Sequence, residues 1–280
     1  MDSLNTFNYL NLGGYIINTI VTFAASPVLG FPDNSQLSEK YQTIITPAGL
    51  AFAIWGIIFI FQGVFAVLQM LSGYRSNALV QNGVSYWYFV ACMFQSAWTI
   101  AFGYEVIWLS VVMMGGILAS LVYIVIRQSA IESDPSATIK EFWIFKFPFS
   151  VHCGWIAAAF GVNFNVLIVA SGYQAGAQEV WAVLTLVYAI AVAFFALVYL
   201  SPPDFTIPSV LVWATMGIAM ELKEPKDVIV NAFSEAVITR VRNSVVGVCV
   251  VLCIVTAGFG VHRVVSGKNM NSRPIEERLI

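Results

Sequence analysis

The sequence predicts an all-α, polytopic transmembrane helix bundle of about eight spans, and three observations predict it. Hydrophobic residues fill 59% of the 280 positions and charged residues only 10%, against about 25% charged in an ordinary soluble chain. Mean hydropathy is +0.81. The apolar residues gather into runs close to the ~20 residues that cross a hydrocarbon core as a helix, with Pro, Gly and charges concentrated between them.

Tyr9–Leu29 reads as the first span, broken near its end by Pro27. Pro32–Thr43 is a polar loop, and Pro47 opens a second span that reaches Leu71. A proline is tolerated there because the N–H it lacks is unpaired at a helix start anyway. The third span is Val84–Phe102, with Tyr86, Trp87 and Tyr88 placed as an interfacial aromatic belt. Only residues 103–106 separate it from the fourth, Ile107–Ile126, so these two form an antiparallel hairpin. A charged connection, Gln128–Glu141, holds Glu132, Asp134 and Lys140 and leads to the fifth span, Phe145–Gly172. Val180–Leu200 is the sixth, ended by Ser201, Pro202 and Pro203. The seventh, Ile207–Glu221, is short and spans only where its neighbours thin the membrane or cover its ends. Residues 222–243 carry Val228, Ile229, Phe233, Ala236, Val237 and Val241 at helical spacing with charges opposite. This amphipathic connector either lies in the interface or packs on its own bundle. The last span is Ser244–Val264, and 265–280 is a polar tail.

Composition also excludes functions. A net charge of -2 with no basic run gives no footprint for nucleic acid. The four cysteines lie in apolar segments without a CxxC pair, which points to core packing. No metalloprotease, nucleophile-elbow, phosphate-loop or dinucleotide motif is present, and the expectation is that the chain is not an enzyme. Glu105, Glu179, Asp204 and Glu221 sit at helix ends, so no ionisable group marks a proton-coupled permease. With eight spans both termini share one side. That side carries Arg75, Arg127, Lys140, Lys146, Arg263, Lys268, Arg273 and Arg278, which places it toward the cytoplasm-equivalent face.

The fifth span holds the most polar set at membrane depth: His152, Trp155, Asn163 and Asn165. Lipid offers such groups no partners, so they face other helices or a cavity. His152, Trp155 and Asn163 fall at i, i+3 and i+11, on one helix face. Ala157, Ala158, Ala159 and Gly161 leave room for a close helix or a flat ligand. Trp55, with Gln95 and Trp98 at i, i+3, adds indoles and an amide. Broad apolar faces with a few directional hydrogen bonds suit a planar hydrophobic ligand. The same residue types also serve as inter-helix glue without any ligand. For His152 the two readings are a hydrogen bond across helices and an axial bond to a porphyrin or chlorophyll metal.

The stretches Pro47–Gly56 with Trp55, Gln95–Trp98, and Pro148–Phe149 followed by Gly154, Trp155 and Asn163 resemble the tryptophan-rich sensory protein/translocator protein family (TspO/MBR). The likeness covers residues 9–171 and is closest to a longer, divergent branch with extra C-terminal helices. It implies a five-helix translocator-like bundle over 1–171, three additional helices over 172–264 with the connector at 222–243, and the tail. It also implies an internal pocket lined by Trp55, Gln95 (where the family has Asn), Trp98, Trp155 and Asn163. The implied ligand is a tetrapyrrole or a sterol-like lipid, to be bound, moved or sensed. The rival reading is an accessory subunit of a larger membrane complex, pigment-bearing or respiratory. Expected partners are membrane lipids, a hydrophobic small molecule, and a homo-oligomer or larger complex.

Overall fold

Helix α1 (Thr6–Leu29) begins where Asn5 accepts from the Asn8 N–H and the Asn8 side chain answers to the Asn5 N–H, a reciprocal cap. Pro27 does not break it. So near the end the proline forfeits only its own bond, and the helix closes at Gly30, whose left-handed φ of 75° sends its N–H to Ser26 O. The computed structural model describes residues 4–131 and 139–271, with side chains described to 265. Glu132 and Asp134, and the side chains of Lys268, Arg273 and Arg278 in the tail, therefore lie outside the described residues.

Within the polar loop a short helix forms, α2 (Asn34–Lys40), because Asp33 and Gln36 make a second reciprocal cap. Helix α3 (Ile54–Leu68) follows a tighter turn over Gly49–Ala53. After a wide turn at Leu79–Val84 come α4 (Trp87–Gly103) and α5 (Ile107–Ala130). These two pack antiparallel as expected: Trp87 meets Tyr123 at 4.6 Å, and Gly116 seats the Phe94 ring. A one-turn helix α6 (Ile139–Glu141) and the wide turn Phe142–Lys146 lead into α7 (Phe147–Ala170). Helix α8 (Ala175–Phe194) ends in a wide turn and is followed by α9 (Thr206–Glu221), α10 (Asp227–Ala232) and α11 (Glu235–Asn271).

Six of these stretches are long and apolar enough to cross a membrane. Helices α4, with 17 residues, and α9, with 16, fall short of that length. Each packs along longer helices, α4 against α1 and α5, and α9 against α7 and α11. Burial identifies the axis: 56% of the apolar stretch leading through α7 is buried, against 11% for the last helix. Helix α9 lies between α7 and α11, with Gly154 so close to Val210 that a Cβ would stand 2.9 Å away. Its Gly217 O accepts from the Ala48 N–H at 3.0 Å, and the Trp213 indole donates to Ala51 O at 2.9 Å. Protein thus covers the ends that lipid would leave bare.

The connector divides between two helices, its first half forming α10. Its second half opens α11, which continues into the last span, while Ile229, Phe233, Ile238, Val241 and Val245 pack against Ile44, Ile45, Leu186 and Ile218. The apolar stripe is used on its own bundle.

Candidate functional site

The site lies toward the end of the bundle where α3 begins and α4 and α7 finish. A cavity of about 120 Å³ opens there between α3, α4, α7, α8 and α9, under α2. Trp55, Trp98 and Trp155 line it, each from a different helix, together with Phe52, Phe102 and Asn163. The rings meet edge to face: Phe52–Trp155 at 5.6 Å and Trp55–Trp155 at 6.3 Å. Trp98 stacks on Phe102 at 5.2 Å. The two T-shaped pairs set a positive ring edge against a negative face.

Four of the six residues singled out from the sequence (Trp55, Trp98, Trp155, Asn163) stand on the wall, while Gln95 and His152 do not. Gln95 is buried one turn before Trp98, its Oε1 without a partner. His152 makes the cross-helix bond: the Gln62 amide, as assigned, donates to its Nδ1 at 2.7 Å, and the Tyr88 hydroxyl donates to Gln62 Oε1 at 3.3 Å. That leaves His152 Nε2 buried and unpartnered, and the imidazole meets the Trp55 ring in a T-shaped pair with centroids 5.7 Å apart. Asn165 turns to α8, donating to Thr185 Oγ1 at 2.8 Å, while Gly161 admits the Thr185 methyl. Of the wall donors, the Trp98 N–H is taken by Asn163, which also donates to Ser110 Oγ at 3.1 Å. The Trp155 N–H is buried and has no partner. Among the described residues no group of three or more His, Cys, Asp or Glu is placed to hold a metal.

Half of the enclosure was invisible in the motifs. Leu186 and Ala189 of α8, and Leu211, Ala214 and Ile218 of α9, complete the wall, with Thr185 and Thr215 as its extra hydroxyls. These are ordinary apolar-helix residues, and only packing gives them a role. Phe102 had a signal, four residues on from Trp98 on the same helix face.

Asn34 and Ser38 of α2 roof the cavity. Polar contacts tie this cover down. Lys40 and the Tyr41 hydroxyl both reach Glu105 in the α4–α5 turn, Lys226 pairs with Glu39 at 3.3 Å, and Gln42 donates to Glu221 at 2.6 Å. The Lys40 ammonium, then the Tyr41 hydroxyl, hold the Glu105 carboxyl below its ordinary 4.5, and Glu105 in turn raises Lys40. Glu105 itself sits at φ 59°, a left-handed position that the tight helix hairpin imposes.

Comparison with curated proteins and with solved structures gives no match. A family model described as TSPO-like protein matches residues 8–257, which takes in the site and all the helices that enclose it. On that match, and with a membrane-helix bundle that brings three of its tryptophans to one cavity, the chain belongs to the TSPO-like protein family.

Proposed function

We propose that this integral membrane protein binds a planar hydrophobic small molecule in the tryptophan-lined cavity, as a binding protein and not as an enzyme. The observation that carries the reading is the convergence of Trp55, Trp98 and Trp155 from three helices, with the buried Trp155 N–H left without an acceptor. A ligand carbonyl or ring nitrogen would satisfy that donor, and an unmade buried hydrogen bond costs about 1–3 kcal/mol.

Volume bears on the ligand. At about 120 Å³ the cavity is well under the ~300–1,000 Å³ of pockets that hold drug-sized molecules. A single fused-ring fragment fits the closed form. A tetrapyrrole or a sterol-like lipid, the ligands the family resemblance implies, enters only when α2 lifts. The exposed, polar ties of α2 suit that motion better than the packed helices do.

The test is a titration of the purified protein with protoporphyrin and with cholesterol, followed by tryptophan fluorescence. Saturable quenching is expected with at least one of them, weakened about tenfold in Trp155→Phe. Circular dichroism checks that the variant remains folded. Equal affinity in folded Trp55→Phe, Trp98→Phe and Trp155→Phe would remove the cavity from consideration.

A further inference from the structure

A second cavity lies at the opposite end of the bundle, and at about 520 Å³ it is the larger. It falls within the ~300–1,000 Å³ range of ligand pockets as it stands. The turn before α4, the C-terminal end of α5, the start of α7 and the α8–α9 connection enclose it, and Arg263 of α11 stands on its rim. Leu79, Val125, Phe142, Leu200 and Phe205 give it an apolar wall.

Two carboxylates face this cavity, and both are already engaged. Asp204 Oδ1 accepts from the N–H groups of Thr206 at 2.8 Å and Ile207 at 3.0 Å, and its Oδ2 accepts from the Ser150 hydroxyl. Burial pushes the Asp204 carboxyl up from its ordinary value, against the hydrogen bonds that hold it down. Glu141 accepts from the Asn77 amide at 2.7 Å, and Lys146 lies near both acids. Arg263 differs. It is exposed, lines the cavity, and among the described residues has no hydrogen-bonding or ionic partner.

The surroundings share its sign. Among the described residues Arg75, Arg127, Lys140 and Lys146 stand at this end with Arg263, beside Glu141 and Asp204. The end that holds the tryptophan cavity carries five cations against eight carboxylates, a net of -3. A cation near a helix end lies at the depth where lipid phosphates sit and attracts an anionic headgroup. A guanidinium offers a fork of donors that matches phosphate oxygens.

We propose that this cavity is a binding site for an anionic phospholipid, with the phosphate at Arg263 and the glycerol and first acyl carbons along the Phe142–Leu200–Phe205 wall. The occupant is chemically distinct from the flat ligand of the tryptophan cavity, and the two sites stand at opposite ends of α7.

The experiment measures the thermal unfolding midpoint of the full chain in neutral detergent against three probes: short-chain phosphatidylglycerol, short-chain phosphatidylcholine and inorganic phosphate. Phosphatidylglycerol is expected to raise the midpoint saturably, with about fivefold weaker apparent affinity in Arg263→Gln and no change in Lys223→Gln at the other end. Arg263 is exposed, so its variant is expected to fold. Equal stabilisation by phosphatidylcholine overturns the proposal, as does equal stabilisation by inorganic phosphate. An Arg263→Gln response identical to that of the parent chain overturns it too.

Discussion

The Trp98 indole N–H donates to Asn163 Oδ1 at 2.9 Å, joining α4 to α7 at the cavity wall. Two residues selected from the sequence as ligand contacts are therefore partly each other's partners, and the bond fixes the ring that stacks on Phe102. Removing either side alone has unequal cost. Trp98→Phe leaves Asn163 Oδ1 a second donor, Ser110 Oγ at 3.3 Å, and is expected to cost about 0.5–1 kcal/mol. Asn163→Leu strands the indole N–H and should cost about 1–3 kcal/mol. The double variant should lose less than the sum, and reversible unfolding in mixed micelles measures the coupling.

Gln62 is the pivot between His152 and Tyr88. Gln62→Leu leaves the buried His152 Nδ1 without a donor, for a loss of about 1–3 kcal/mol. Pairing it with His152→Phe should recover part of that loss, because no imidazole then remains unsatisfied. The same unfolding assay reads both, and equal stability of single variant and parent would show the bond to be inconsequential.

Glycine spacing sets how closely α9 docks. A Cβ on Gly217 would lie 2.7 Å from the Ala51 Cβ, so Gly217→Ala forces α9 from the start of α3 and strains the Ala48–Gly217 bond. The expected cost is about 1–3 kcal/mol from overpacking. Gly247→Ala, where nothing stands within 4 Å, should leave stability unchanged or raise it slightly. Both glycines are helical, so a difference between them reports packing and not propensity.

The α2 cover should respond to pH through Glu105. Its carboxyl is held below 4.5 by Lys40 and Tyr41, so the latch contribution is full above 4.5 and fades as pH falls through the depressed value. Lys40 is raised above 10.5, so the same contact is complete below 10.5 and is lost as pH climbs past the raised value. The groups are exposed, so the effect on global stability is small and salt-sensitive. Its readout is access. A Ser38→Cys probe under α2 should react faster with a polar maleimide in acid, and Glu105→Gln should react fast at neutral pH as well. An unaltered rate in Glu105→Gln would mean that other ties hold the cover.

Much of the fold was legible because lipid imposes a strict rule: backbone polar groups are satisfied within helices, so length and hydropathy mark the spans. The four-residue gap at 103–106 announced the α4–α5 hairpin, and the polar set on the fifth span announced the helix at the axis. Local chemistry was harder to see. Asp33 and Gln36 turned a stretch read as loop into α2, a cap signal outweighed by polar composition. Pro27, read as a breaker, fell where few bonds remained to break.

What the sequence by itself determined is the solvent of this protein and its helices, because hydropathy and the 3.6-residue period act within a single segment. Only the tertiary structure decided which polar groups spend their hydrogen bonds on each other, as Gln62 does on His152, and which are left open, as the Trp155 N–H is. It also decided that α8 and α9 close the cavity and that Asp204, at a helix end in the sequence, is buried beside Ser150. Those outcomes depend on distances between helices far apart in the chain, and such distances follow from how glycines and side chains interlock, not from any one segment's composition.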